Sequence, residues 1–281
     1  MITASIAHQI CTYRPKDYSI ELQSLEEEIE TKLKKKEIVY SRKDLSSYTE
    51  ITGFKMISSN LKSLLKKQES FKEDSLPQGS KNFLERVWLE RNYGFYDIDS
   101  QSVDTIALKK GVLQEDGAIQ LLSDYLDTTL SKNAERITKG FLSGECDVFY
   151  NNTIRDVKCP KDWRSFRNKE SIPTPYYWQL ISYCYLYGCT QAFVDYILMP
   201  YPEDLLEIVM RGFNETQAEC FLRSEKMIGK LESSDRIKSF QLKCNLDEEI
   251  EFLKSRLVKS SNYYANLTYQ ICMKKNGHTT K

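Results

Sequence analysis

Three residues carry the strongest chemical signal in this 281-residue chain: Asp147, Asp156 and Lys158. Asp156 and Lys158 are two apart in a segment with strand-like alternation, so they project from one face while Val157 points to the other. Asp147 lies on the preceding segment, Gly144–Tyr150, which the turn-favouring pair Asn151-Asn152 joins to Thr153–Cys159 as a β-hairpin. It can therefore meet the other two across the ladder. Two carboxylates with a neighbouring backbone carbonyl are hard oxygen ligands of the kind Mg²⁺ takes while sharing its other positions with a phosphate. A lysine beside them could orient or deprotonate an attacking water, or stabilise charge developing on the phosphorus.

D/E-x-K triplets also arise by chance in a chain with 40 basic and 40 acidic side chains, so context has to separate a site from a solvated strand face. Glu115 sits near the apolar face of an upstream helix, Leu108–Leu126, at helical spacing with Val112, Ile119 and Leu122. Downstream, Gln179 and Tyr183 are four apart on a helix read over Pro175–Tyr187, and share a face from which they could reach DNA or brace the site. Arg155 just before the triplet, and Lys161, Arg164 and Arg167 after it, lie in a basic stretch from Arg155 to Lys169 interleaved with Trp163 and Phe166. That stretch is the expected phosphate-tracking surface.

Composition narrows the chemistry further. The net charge is zero, so nucleic-acid binding has to come from local clustering. Only two histidines are present, His8 and His278, which nearly excludes a His base or paired His ligands. The eight cysteines show no C-x-x-C pair and no zinc or disulfide spacing. No secretory start is apparent and Tyr176–Met199 is too interrupted to span a bilayer, so a cytoplasmic protein without a membrane partner is expected.

The elements that must position these residues alternate between helix and strand. Helices are expected over Ser19–Lys36, Ile57–Lys67 and Asn82–Arg91, with a polar loop over Gln68–Lys81 and an irregular connection over Tyr93–Thr105. A strand over Ala192–Met199, helical pieces over Glu203–Lys230, a strand over Arg236–Cys244 and a long helix over Asp247–Leu267 complete the chain. The fold class is mixed α/β, with residues 1–80 as an N-terminal helical region packing on a domain over 81–281.

Assembled in order, these motifs resemble the PD-(D/E)XK nuclease superfamily, and within it the YqaJ-type viral recombinases that include lambda exonuclease. Lys110-Gly111 and Glu115 with Ala118-Ile119 look like that family's acidic helix. Gly144-Glu145-Cys146-Asp147 looks like its metal-binding aspartate segment, Asp156-Val157-Lys158-Cys159-Pro160 like its D/E-x-K-C-P core, and Gln179 with Tyr183 like its Q-x-x-x-Y helix.

The resemblance implies a restriction-endonuclease-like core, a central mixed β-sheet flanked by helices. It implies Mg²⁺ (Mn²⁺ substituting) held by Asp147, Asp156, Glu115 and the Val157 carbonyl, with no iron–sulfur cluster. It also implies exonucleolytic resection of linear double-stranded DNA, 5′ to 3′, as a step of phage-type recombination in the host cytoplasm. A single-strand annealing recombinase is the implied partner, and a homotrimer the implied assembly. The competing readings are a structure-specific endonuclease or resolvase, and a non-catalytic DNA-binding recombination subunit.

Overall fold

Pairing at the very start of the chain sets its division. In a computed structural model that describes residues 1–11, 19–44, 55–73, 76–94 and 105–277, β1 (Ile2–Thr3) runs parallel to a strand some 140 residues later, at Leu142 and Ser143. Met1–Thr12 therefore belongs with Asn82–Lys281 in the larger of two units, and not with the helical region expected over 1–80. The smaller unit is Tyr13–Lys81. His278 and most of the connection after Tyr93 lie outside the described residues.

After the short helix α1 (His8–Cys11), the smaller unit contributes α2 (Ser19–Lys34) and α3 (Lys55–Glu73). The narrow apolar stripe of α2 does what its spacing predicts: Leu22, Ile29 and Leu33 are buried with Leu61 of α3. Glu26 closes one end, accepting hydrogen bonds from Tyr40 at 2.8 Å and from Arg42. The polar loop expected over Gln68–Lys81 is much shorter, because α3 continues to Glu73 and α4 (Gln78–Tyr93) starts directly after Pro77. Gln68–Glu73 contains no helix breaker, and polarity alone does not end a helix.

The larger unit is built around a four-stranded sheet. α5 (Thr105–Tyr125) precedes β2 (Ile137–Lys139) and β3 (Leu142–Gly144), which with β1 form a small three-stranded sheet. β4 (Val148–Tyr150) and β5 (Thr153–Lys158) then make the expected hairpin. Asn151 and Asn152 turn it, with φ of 44° and 58°. α6 (Trp163–Arg167) and α7 (Thr174–Tyr187) carry the chain to β6 (Gln191–Ile197), parallel to β5. α8 (Glu203–Val209), α9 (Glu215–Ile228) and α10 (Ser233–Arg236) lead to β7 (Ile237–Gln241), antiparallel to β6, and α11 (Leu246–Gly277) ends the unit. The sheet order is β4-β5-β6-β7, a mixed sheet with helices packed on it.

Alternation along the strands assigns the two faces. Val157, Ile197 and Ile237 form one core with Val148 and with Ala118, Ile119 and Leu122 of α5. The opposite face, bearing Asp156, Lys158 and Tyr196, looks towards α7. α7 is buried over Trp178–Cys184 and stops at Gly188, whose φ of 72° is the left-handed conformation of a helix C-terminus.

The segment before the hairpin differs from expectation. Gly144 ends β3 in the small sheet, so Glu145–Asp147 is a connection between two sheets and not the start of a strand. Gly144 itself is closely packed. A Cβ on Gly144 would lie 2.9 Å from Ala4 Cβ, 2.9 Å from Leu186 Cδ1 and 3.0 Å from Tyr183 Cε1, so only glycine lets β3 pass this close to α7. Gly144→Ala is expected to destabilise the fold by about 1–3 kcal/mol. A urea midpoint equal to wild type would contradict that close approach.

Candidate active site

The hairpin register brings the acids together. Val148 pairs with Arg155, so continuing the antiparallel count by one sets Asp147 opposite Asp156. The Val157 N–H donates to Asp147 Oδ2 at 2.7 Å, which fixes this carboxylate on the strand edge. Asn133 holds the connection from behind: its N–H donates to the Asp147 carbonyl at 2.8 Å and its amide to the Cys146 carbonyl at 3.1 Å. Lys158 Nζ lies 2.7 Å from Asp156 Oδ2 and 3.7 Å from Asp147 Oδ2. The three expected residues form one cluster.

Its electrostatics are unbalanced. Asp156 is completely buried and its Oδ1 accepts no hydrogen bond. Burial, only partly offset by Lys158, pushes the Asp147 carboxyl up to about 6 and raises Asp156 as well, with the Asp156 charge adding to the first and the Asp195 and Glu115 charges to the second. For Lys158 burial works against the charged form, but Asp156 and Asp147 outweigh it and hold the ammonium above its ordinary value. Two carboxylates thus face one ammonium, with a buried oxygen unsatisfied. Hard oxygen donors with surplus negative charge fit a divalent cation such as Mg²⁺ or Mn²⁺.

Glu115 does not touch the two aspartates. Its carboxylate takes Lys132 Nζ at 3.1 Å, while Asp116, the adjacent acid, lies 3.4 Å from the same nitrogen. The charge of Glu115 is nonetheless felt at Asp156. Among the described residues no three Asp, Glu, His or Cys side chains form a ready cage. The Val157 carbonyl is approached by Lys158 Nζ at 3.3 Å.

Gln179 and Tyr183 are buried and joined, the Gln179 amide donating to the Tyr183 hydroxyl at 2.9 Å. Tyr183 lies within electrostatic reach of Asp156, and burial, then that charge, raises its phenol. The pair thus lies on α7 near the acids without a hydrogen bond to them among the described residues. The thiol of Cys159, one residue past Lys158, is pushed up to about 11 by burial, so it stays protonated near neutrality.

Of the four basic residues singled out, Lys161, Arg164 and Arg167 are exposed, on or just before α6. Asp162 caps that short helix by accepting from the Ser165 N–H at 2.7 Å, and Trp163 is 46% exposed beside the two arginines. Arg155 is placed elsewhere. It projects from the Val157 face, where its Nη1 meets both oxygens of buried Asp195, at 2.8 and 2.9 Å, and its guanidinium covers the Phe193 ring. Lys132, Asn133 and Tyr176, whose ring lies 5.3 Å from Lys158 Nζ, are site residues that sequence reasoning missed. None of them belongs to a motif.

No protein-family model matches the sequence, and neither does any curated protein. Solved structures do. The chain is similar to a phage-related exonuclease from Haemophilus somnus 129PT, with a TM-score of 0.60 and 22% identity over 73% of this chain and 89% of that one. It is also similar to an alkaline exonuclease from Laribacter hongkongensis, at a TM-score of 0.46 and 11% identity, covering 70% of this chain and 87% of that one. The first likeness shows the fold. The mixed α/β architecture is that of a phage-related exonuclease, in agreement with the resemblance stated above.

Proposed function

We propose that this protein is a Mg²⁺-dependent DNA exonuclease of phage-type recombination, acting 5′ to 3′ on linear double-stranded DNA. One observation carries the proposal: Asp147, Asp156 and Lys158 meet in a negatively unbalanced cluster in which Asp156 is buried and the other two are half-buried. Its occurrence in the fold of a phage-related exonuclease supports the same reading.

A divalent ion held by Asp147 and Asp156 would supply Lewis-acid polarisation of the scissile phosphate. The rest is done by the chain. Lys158, 2.7 Å from Asp156 and 3.7 Å from Asp147, is placed to orient the attacking water or to stabilise negative charge growing on the phosphate. Gln179 and Tyr183 keep Asp156 in a dry wall. Lys161, Arg164 and Arg167 hold the phosphates of the approaching strand, and Trp163 offers a face on which a base can stack. Glu115, paired here with Lys132, would be the further carboxylate available to hold the ion. The resemblance further supports a homotrimer and a single-strand annealing protein that takes the exposed strand.

The test is digestion of linear duplexes labelled separately at the 5′ and 3′ ends, beside covalently closed circles and closed branched DNA. Mononucleotides released first from 5′-labelled ends, with circles intact, are expected. Cutting of closed branched DNA would replace the exonuclease by a structure-specific endonuclease. Tight binding without turnover under any divalent metal would make it a binding subunit.

A further inference from the structure

Lys110 of α5 is fully buried, which no helix requires of a lysine. Its ammonium donates to the carbonyls of Pro160 and Lys161, at 3.1 and 2.9 Å, and sits 4.2 Å from the centre of the Tyr201 ring. The backbone N–H of Tyr201 donates to buried Glu225 at 2.6 Å, and the Glu225 charge offsets part of the burial that lowers the Lys110 pKa to about 8. As an ammonium or as a neutral amine, Lys110 keeps at least two N–H donors for the two carbonyls. One turn along α5, the Gln114 amide donates to the Pro200 carbonyl at 2.9 Å. α5 is thereby fastened to the chain where it leaves both β5 and β6.

The carbonyls that Lys110 holds are placed with consequence. Pro160 is two residues after Lys158, and Lys161 immediately precedes the cap of α6. We infer that Lys110 is a positioning residue for the proposed DNA cleavage: by clamping Pro160 and Lys161 it fixes the exit of β5, and through it the reach of Lys158 and the start of α6. A methionine of similar length would fill the same space without a buried charge. What it would lack is the pair of directed N–H donors. The inference rests on the nuclease reading for its consequence, though not for the clamp itself.

The test uses the full chain with Lys110→Met, which removes the donors, and Lys110→Gln, which restores part of them, both assayed well below their melting temperatures. For Mg²⁺-dependent nucleotide release, kcat is expected to fall at least ~10-fold in Lys110→Met and by less in Lys110→Gln, with KM within ~3-fold of wild type. Amide hydrogen exchange should quicken over 159–165 and stay unchanged in β6. A kcat within about twofold of wild type in a folded Lys110→Met protein overturns the inference, since a merely structural lysine lowers the melting temperature alone. If Lys110→Met does not fold, Lys110→Gln decides by the same two readouts. A wild-type chain inactive on DNA overturns the nuclease reading instead, and unchanged exchange over 159–165 overturns the clamp whether or not DNA is cut.

Discussion

Asp156→Asn is expected to lower kcat for DNA cleavage by ~10³-fold or more and, in the same protein without metal, to increase stability. The loss of activity follows from removing the carboxylate whose Oδ1 is buried and unsatisfied. The gain in stability follows from the sign of the pKa shifts. Burial holds Asp156 above its ordinary range, and Asp147 at about 6. A carboxyl whose folded pKa exceeds its unfolded one contributes stability below about pH 4 and loses it as pH rises through the folded value, here about 6 for Asp147. At neutral pH the raised Asp147 carboxyl of the metal-free site therefore opposes folding, on the order of 1–3 kcal/mol. Asparagine fills the same space without the charge and relieves Asp147. Urea unfolding in EDTA should show the variant more stable than wild type at pH 7.5, with the difference shrinking as the pH is lowered and the acids take up protons. A variant less stable than wild type at pH 7.5 would show that the acids are not an unbalanced pair.

Replacing the lysine should move stability the other way. Lys158→Met leaves Asp147 and Asp156 facing each other without the ammonium that lies 2.7 and 3.7 Å from them. Removing one partner of a buried ion pair costs about 3 kcal/mol, far more than the pair contributes net. The loss should be largest at neutral pH and smaller near pH 5, where the acids take up protons. Cleavage should drop by ~10²–10³-fold, because the charge that meets the developing phosphate is gone. Mg²⁺ should partly restore stability, raising the melting temperature of Lys158→Met by more than that of wild type, since the ion supplies the missing countercharge. Thermal melts with and without Mg²⁺ measure this. Equal stability of Lys158→Met and wild type in EDTA would contradict the charge arrangement.

Local pattern exposed the part of the site that lies on one strand. The two-residue period of β5 places Asp156 and Lys158 together, Asn151-Asn152 turns the hairpin, and a proline and a glycine bound α7, so each was readable without the fold. Arg155 was readable too. The same period puts it on the Val157 face, whereas counting charge along the segment grouped it with Lys161, Arg164 and Arg167.

Other features depend on residues far apart in the chain. β1 pairs with β3 across about 140 positions, and Gly144 is shaped by Ala4 and Leu186. Lys132 reaches Glu115, Asn133 ties down Asp147, and Lys110 grips Pro160 and Lys161, contacts that no spacing rule foreshadows. A lysine reads as solvent-facing until its partners are known.

The most direct test of the central claim is release of acid-soluble nucleotide from a linear duplex by the purified chain, with Mg²⁺ or with EDTA, beside Asp156→Ala. Mg²⁺-dependent release by wild type, absent in EDTA and absent from Asp156→Ala at equal DNA binding, is the predicted result. No release by wild type with Mg²⁺ or Mn²⁺, or undiminished release by Asp156→Ala, would contradict it.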